Sequence, residues 1–276
     1  MGTVMTLDQA IRACAGLSGP IAVMICESGT HCDESAAHAL GRGFGAVLAL
    51  GPGAAAMAET DGTYRVEADV MSDAARTHTL NRVIAGLADK WLLILFNGEY
   101  FYYPFAETRS VKDLTEFLWS ERRSSIMSYT IDLYNDAMKT GAPPRLDDAY
   151  FDAEGWYGFE RGDRLADVYG GLGWRFEEYV PLNLSRVNRP AFFLARKGLT
   201  IDADLWLSDE EMNTFSCPWH HSPTVALMSF RRARTLLDHP KFSQGVDTLT
   251  WPHSRRFTGA SEQLVESGLI EAGQWM

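Results

Sequence analysis

The spacing of apolar positions divides the first half of the chain into alternating helix and strand periods. Leu7, Ile11 and Ala15 recur at helical spacing, and the stretch from Gly16 to Pro20 ends that helix. Ile21 to Cys26 is a short, nearly continuous apolar run, as expected of a strand buried on both faces. Asp33 to Gly41 is Ala-rich and reads as a helix; Ala46 to Leu50 is a second apolar run. Leu80, Val83, Ile84 and Leu87 give helical spacing to residues 72–87. Trp91 to Phe96 is the clearest buried strand, Val111 to Trp119 an amphipathic helix, and Ser124 to Leu133 a further strand.

Strands separated by roughly ten to fifteen helical residues predict a parallel, α-covered sheet. Ligands of such sheets bind outside the carboxyl ends of the strands. That rule selects three loops: Cys26-Glu27-Ser28-Gly29, Gly51-Pro52-Gly53 and Asn97-Gly98-Glu99. Each contains glycine, which lets a backbone approach a ligand closely, although glycine also simply punctuates turns. Beyond about residue 140 the periodicity weakens. Gly141-Ala142-Pro143-Pro144 is a breaker, so the chain reads as one domain with two halves, 1–140 and 141–276. Ser222-Pro223 reads as a helix N-cap with proline following, opening a helix through Phe230 and Leu236 to His239-Pro240. Its N-terminus near Thr224 is a candidate anion site. A short helix is expected near residues 261–266.

Composition narrows the function. With 276 residues and 46% hydrophobic content the chain can bury one substantial core. A net charge of -11 disfavours nucleic acid, whose phosphates call for a basic surface. No apolar run approaches the roughly 20 residues that span a bilayer, and no signal-peptide pattern is present, so a cytoplasmic location is expected. The four cysteines, Cys14, Cys26, Cys32 and Cys217, form no regular framework and are expected to be reduced. His31 and His38 interleave with Cys26 and Cys32, but the order is irregular for zinc. The better reading is buried thiols beside surface histidines.

The third loop carries the most chemistry. In Phe96-Asn97-Gly98-Glu99-Tyr100-Phe101-Tyr102-Tyr103-Pro104, two polar side chains one residue apart can reach one ligand. Oxygen donors suit Mg2+ or Mn2+, and such an ion can stabilise a departing diphosphate. The same Asn97-Gly98 pair is also a turn signal. Arg175 and Arg231 have the shape to clamp phosphate. No G-x-G-x-x-G follows the first strand, which disfavours a dinucleotide oxidoreductase.

The stretch from Asn81-Arg82 through Lys90-Trp91-Leu92-Leu93-Ile94-Leu95-Phe96-Asn97-Gly98-Glu99-Tyr100-Phe101 to Tyr103-Pro104 resembles the metal-binding strand and loop of family-2-like glycosyltransferases. Those enzymes carry Asp-x-Asp there, often followed by Glu-Phe. Ile131-Asp132-Leu133-Tyr134, Tyr150-Phe151-Asp152, Gly170-Gly171-Leu172-Gly173-Trp174-Arg175-Phe176, Cys217-Pro218-Trp219-His220 and Gly273-Gln274-Trp275 are similar to one bacterial branch of the group. The resemblance covers roughly residues 20–276. It implies an α/β, GT-A (Rossmann-like) domain that transfers a sugar from a nucleotide-diphosphate sugar to a glycan or glycoconjugate acceptor, with Mn2+ or Mg2+. Residues 1–140 would then bind the nucleotide-sugar and 141–276 form the acceptor side. The resemblance implies metal ligation and donor binding by Asn97 and Glu99, with His220 completing the metal site, and Asp132 as an acceptor-binding residue or the general base. Glu27, in the first strand-end loop, and Arg175, as a phosphate clamp, are the further candidates for donor binding. Asn97 and Glu99 replace the two aspartates, and the other departures also fall in the donor half. That pattern fits altered donor recognition, or a carbohydrate-binding or assembly protein on a transferase scaffold that has lost catalysis.

Overall fold

A computed structural model describes residues 4–180, 186–215 and 221–275. In chain order its helices and strands are α1 (Leu7–Ala15), β1 (Ile21–Ile25), α2 (Cys32–Gly41), β2 (Ala46–Leu50), β3 (Thr63–Val66), α3 (Asp73–Gly86), β4 (Trp91–Phe96) and β5 (Glu99–Tyr102). Then follow α4 (Val111–Ser120), β6 (Ser125–Asp132), β7 (Tyr150–Asp152), β8 (Tyr157–Gly162), β9 (Leu165–Tyr169) and α5 (Gly171–Arg175). The last are β10 (Asn188–Leu194), β11 (Val225–Ser229), α6 (Arg231–Leu237), α7 (Pro240–Gly245), β12 (Ser254–Arg256) and α8 (Ser261–Glu266). The chain is α/β, with a large, mostly parallel sheet. Among the described residues no helix is long and apolar enough to cross a membrane.

Two compact units emerge, each stitched from separate stretches. The first takes the chain up to Phe101, Thr108–Ser128 and Arg189–Thr214; the second takes Tyr102–Glu107, Tyr129–Asn188 and Phe215 onward.

In the first unit the strands run β3-β2-β1-β4, every neighbour parallel, with β10 antiparallel on the far side of β4. Ile25 pairs with Leu50 on one side and Phe96 on the other, so three strands end level. The strands are apolar on both faces because both faces are covered. Ile21, Val23, Ile25, Leu48 and Ile94 pack against Leu7, Ala10 and Cys14 of α1 and Leu80, Val83 and Ile84 of α3. The helices start where side chains satisfy their free N–H groups: Thr6 and Gln9 form a capping box on α1, Ser110 and Asp113 on α4, and Ser72 caps α3.

The second unit is held by aromatic packing and polar contacts more than by long helices. Tyr134, Phe151, Phe230, Phe242 and Phe257 are fully buried in it. β7 pairs with β12 and β8 with β9, both antiparallel.

Residues 222–240 do not form the expected single helix. Val225–Ser229 is a strand, every residue buried, and the helix that follows begins only at Arg231. A short apolar run reads equally as a buried strand or a buried helix turn, and the Ser-Pro pair before it favours the helix. The anion site near Thr224 falls with that helix: the Thr224 N–H donates to the Glu271 carbonyl at 2.9 Å instead. The stretch after Asn97-Gly98 is likewise not a loop. It is β5, four residues, all buried.

Candidate functional site

The three loops singled out by the strand-end rule do converge, because β2, β1 and β4 are neighbours ending at one level. What their glycines admit is another loop. The Gly53 N–H donates to the Cys26 carbonyl at 2.9 Å, and a Cβ on Gly53 would lie 2.0 Å from the Ser28 carbonyl oxygen. Asn97 is the latch of this junction. Its Oδ1 accepts from the Glu27 N–H at 3.0 Å, and its Nδ2 donates to Ser28 Oγ at 3.2 Å and the Thr30 carbonyl at 2.9 Å. The side chain is buried, and Asn97-Gly98 is the turn that its sequence also signals. Glu27 is half-buried and meets Asn97 through its backbone.

An amide can both accept from Glu27 and donate to Thr30, whereas a carboxylate can only accept. Asn97→Asp, which leaves two acceptor oxygens and no donor, is therefore expected to destabilise the protein by about 1–3 kcal/mol. Urea unfolding measures this, and a variant as stable as wild type would remove Asn97 from the latch role.

Glu99 faces inward as well. Its Oε2 accepts from the Phe96 N–H at 2.9 Å and from Arg189 Nη2 at 2.5 Å. Both side chains are more than nine-tenths buried, and the Arg189 guanidinium lies 5.4 Å from the centre of the Phe96 ring. Asn97 Oδ1 and Glu99 Oε2, two of the oxygens that the resemblance would give to a divalent ion, are thus already engaged within the protein. Cys217 and His220 lie outside the described residues.

Nearby in the same unit, His31 is buried and His38 half-buried rather than exposed. The His38 Nε2–H donates to the Phe101 carbonyl at 2.8 Å. Burial holds the His38 imidazole down to about 4, so it is neutral at physiological pH. Cys14, Cys26 and Cys32 are buried free thiols. A hydrogen bond with Cys32, together with burial, pushes the Cys26 thiol up.

The remaining candidates lie in the second unit. Asp132, at the end of β6, is buried; its Oδ2 accepts from Arg232 Nη1 at 2.8 Å and from the Leu172 N–H at 2.9 Å. Its Oδ1 has no hydrogen-bond partner and no solvent. Burial pushes the Asp132 carboxyl up, against the pull of Arg232 and of the Leu172 and Gly173 amides. Gly171 is required here. Its φ is +61°, and a Cβ would lie 2.7 Å from Asp132 Oδ2. The Gly170–Gly173 stretch thus seats the first turn of α5 directly on a carboxylate. Asp132 is held by a guanidinium and by backbone rather than open to an acceptor hydroxyl.

Arg175 clamps a carboxylate inside the protein. Its Nη1 donates to Asp152 Oδ1 at 3.0 Å and its Nη2 to the Leu249 carbonyl at 2.6 Å. Tyr134 and Trp251 also donate to Asp152 Oδ1, the indole at 2.7 Å. Burial nonetheless pushes the Asp152 carboxyl up.

Sequence reasoning missed Arg189 and gave no role to Asp152 or Arg232. A signal for the first existed: an arginine inside the apolar run Asn188-Arg189-Pro190-Ala191-Phe192-Phe193-Leu194 must find a buried partner.

No family model matches the chain, and no curated protein matches it.

Proposed function

We propose that the protein is a non-catalytic member of the glycosyltransferase-like group: a carbohydrate-binding or assembly protein on a GT-A-like scaffold. The scaffold half of this reading draws on the parallel β3-β2-β1-β4 order, the arrangement of a Rossmann-like half-sheet. The loss of catalysis draws on one observation. Asn97 and Glu99, at the two aspartate positions of the motif, are buried and bonded within the protein. A leaving diphosphate would need these groups on an ion in the open mouth of the loops.

The competing reading is an active transferase using Mn2+ or Mg2+. It is favoured by the convergence of the three strand-end loops, where an α/β sheet places its ligands, and by the half-buried Glu27 among them. Calorimetric titration of UDP, GDP and CDP, with and without Mn2+, separates the two. The expected result is no metal-dependent binding by any of the three. Saturable binding that needs Mn2+ and disappears in Glu27→Ala would establish a working donor site and overturn the proposal.

A further inference from the structure

Within the second unit, a cavity of about 220 Å3 opens on the side of β6 that carries Tyr129 and Ile131. Strand alternation turns Asp132 to the other side, so this cavity is separate from the Asp132 carboxylate and its arginine. Three aromatic side chains, Tyr129, Trp156 and Tyr157, line it together with Thr224 and Glu271.

The orientation of the polar groups is informative. The Trp156 indole N–H is turned away to the Asp152 carbonyl at 3.0 Å, so Trp156 offers the cavity its ring. Tyr157 stacks on Tyr169 with ring centres 5.6 Å apart, and Tyr129 on Phe215 at 6.2 Å, which fixes both planes. The exposed Glu271 is anchored through its backbone, its N–H donating to Thr224 Oγ1 at 2.9 Å, while its carboxylate pairs with no described residue. That charge acts on Tyr129, whose phenol is pushed up first by burial and then by Glu271.

No Lys, Arg, His, Asn or Gln lines the cavity among the described residues. An anion would find no counter-charge there. A sugar ring would find stacking faces but few of the paired donors and acceptors that read its hydroxyls. The electron-rich faces of aromatic rings, with one unpaired carboxylate beside them, instead favour positive charge spread over a bulky head. We infer that this cavity binds a small organic cation, a ligand bearing an alkylated ammonium group. This inference is independent of whether the strand-end loops bind nucleotide.

The test uses the full chain and isothermal calorimetry with choline, its uncharged carbon isostere 3,3-dimethylbutan-1-ol, and methyl glucoside. Choline is expected to bind saturably, with the isostere at least about tenfold weaker. Glu271→Gln, which touches no side-chain bond of the fold, is expected to weaken choline about tenfold with an unchanged melting temperature. Tyr157→Leu, at a ring already 39% exposed, is expected to do the same. Equal binding of choline and isostere, no saturable choline binding, or glucoside binding without choline would each overturn the inference. So would unchanged choline affinity in both variants.

Discussion

Arg189→Met is expected to destabilise the protein by about 3–5 kcal/mol, the range for removing one partner of a buried ion pair. The argument starts from where the chain puts the two groups. Glu99 opens β5 and is 3% exposed, and Arg189 lies on β10 with its side chain 9% exposed. Methionine keeps the stem that packs beside Phe96 and removes only the charge. The Glu99 carboxylate would then retain the Phe96 N–H and face an apolar interior with no counter-charge. The double variant Glu99→Gln with Arg189→Met is expected to recover much of the loss, because an uncharged pair carries no such penalty. Urea midpoints for the two single variants and the double supply the cycle. A loss below about 1 kcal/mol for Arg189→Met would mean that Glu99 does not depend on arginine. Recovery of that variant by Mn2+ would return Glu99 to the role of a ligand.

The same pair shows how far the sequence can be read. The apolar runs Ala46 to Leu50 and Trp91 to Phe96, each lying between helical segments, read as strands and coincide with β2 and β4 at both ends. Amphipathic spacing is legible for similarly local reasons, as with Val111 to Trp119, which α4 extends by one residue. Reading fails where tertiary contacts decide. Val225–Ser229 has no periodicity to separate strand from helix, and only its neighbours in the sheet do so. At the candidate site, the strand-end rule located the loops but not their occupants. Asn97 and Glu99 are residues of metal-binding type whose bonding partners, Thr30 and Arg189, lie 67 and 90 positions away in sequence. Local pattern carries no information about such partners. The place of the site in the fold is therefore legible in the sequence, while its chemistry depends on contacts made by folding.

Arg175→Met should carry a comparable cost, about 3–5 kcal/mol, with a pH signature of its own. Asp152 is 1% exposed and its Oδ1 gathers donors from Tyr134, Arg175 and Trp251. Of these only Arg175 brings charge, and its other arm ties the Leu249 carbonyl while its plane lies 4.9 Å from the Trp251 ring centre. Burial already raises the Asp152 carboxyl in the intact protein, so removing the arginine raises it further. A carboxyl raised in the folded state stabilises the fold only while protonated. Its contribution is lost as pH climbs from the unfolded value near 3.9 through the folded one. The variant should thus lose more stability relative to wild type at pH 8 than at pH 5, the opposite of a paired surface carboxylate. Tyr134→Phe removes the hydrogen bonds to Asp152 and Ser254 but no charge, and is expected to cost less, about 1–3 kcal/mol, with a pH trend of the same sign because the tyrosine also holds the Asp152 carboxyl down. Because Trp251 and Leu249 hold the approach to β12, Arg175→Met should also speed proteolytic cleavage within residues 247–253. A pH-independent loss would show that packing against Trp251 and Phe176, rather than the charge on Asp152, is what Arg175 contributes.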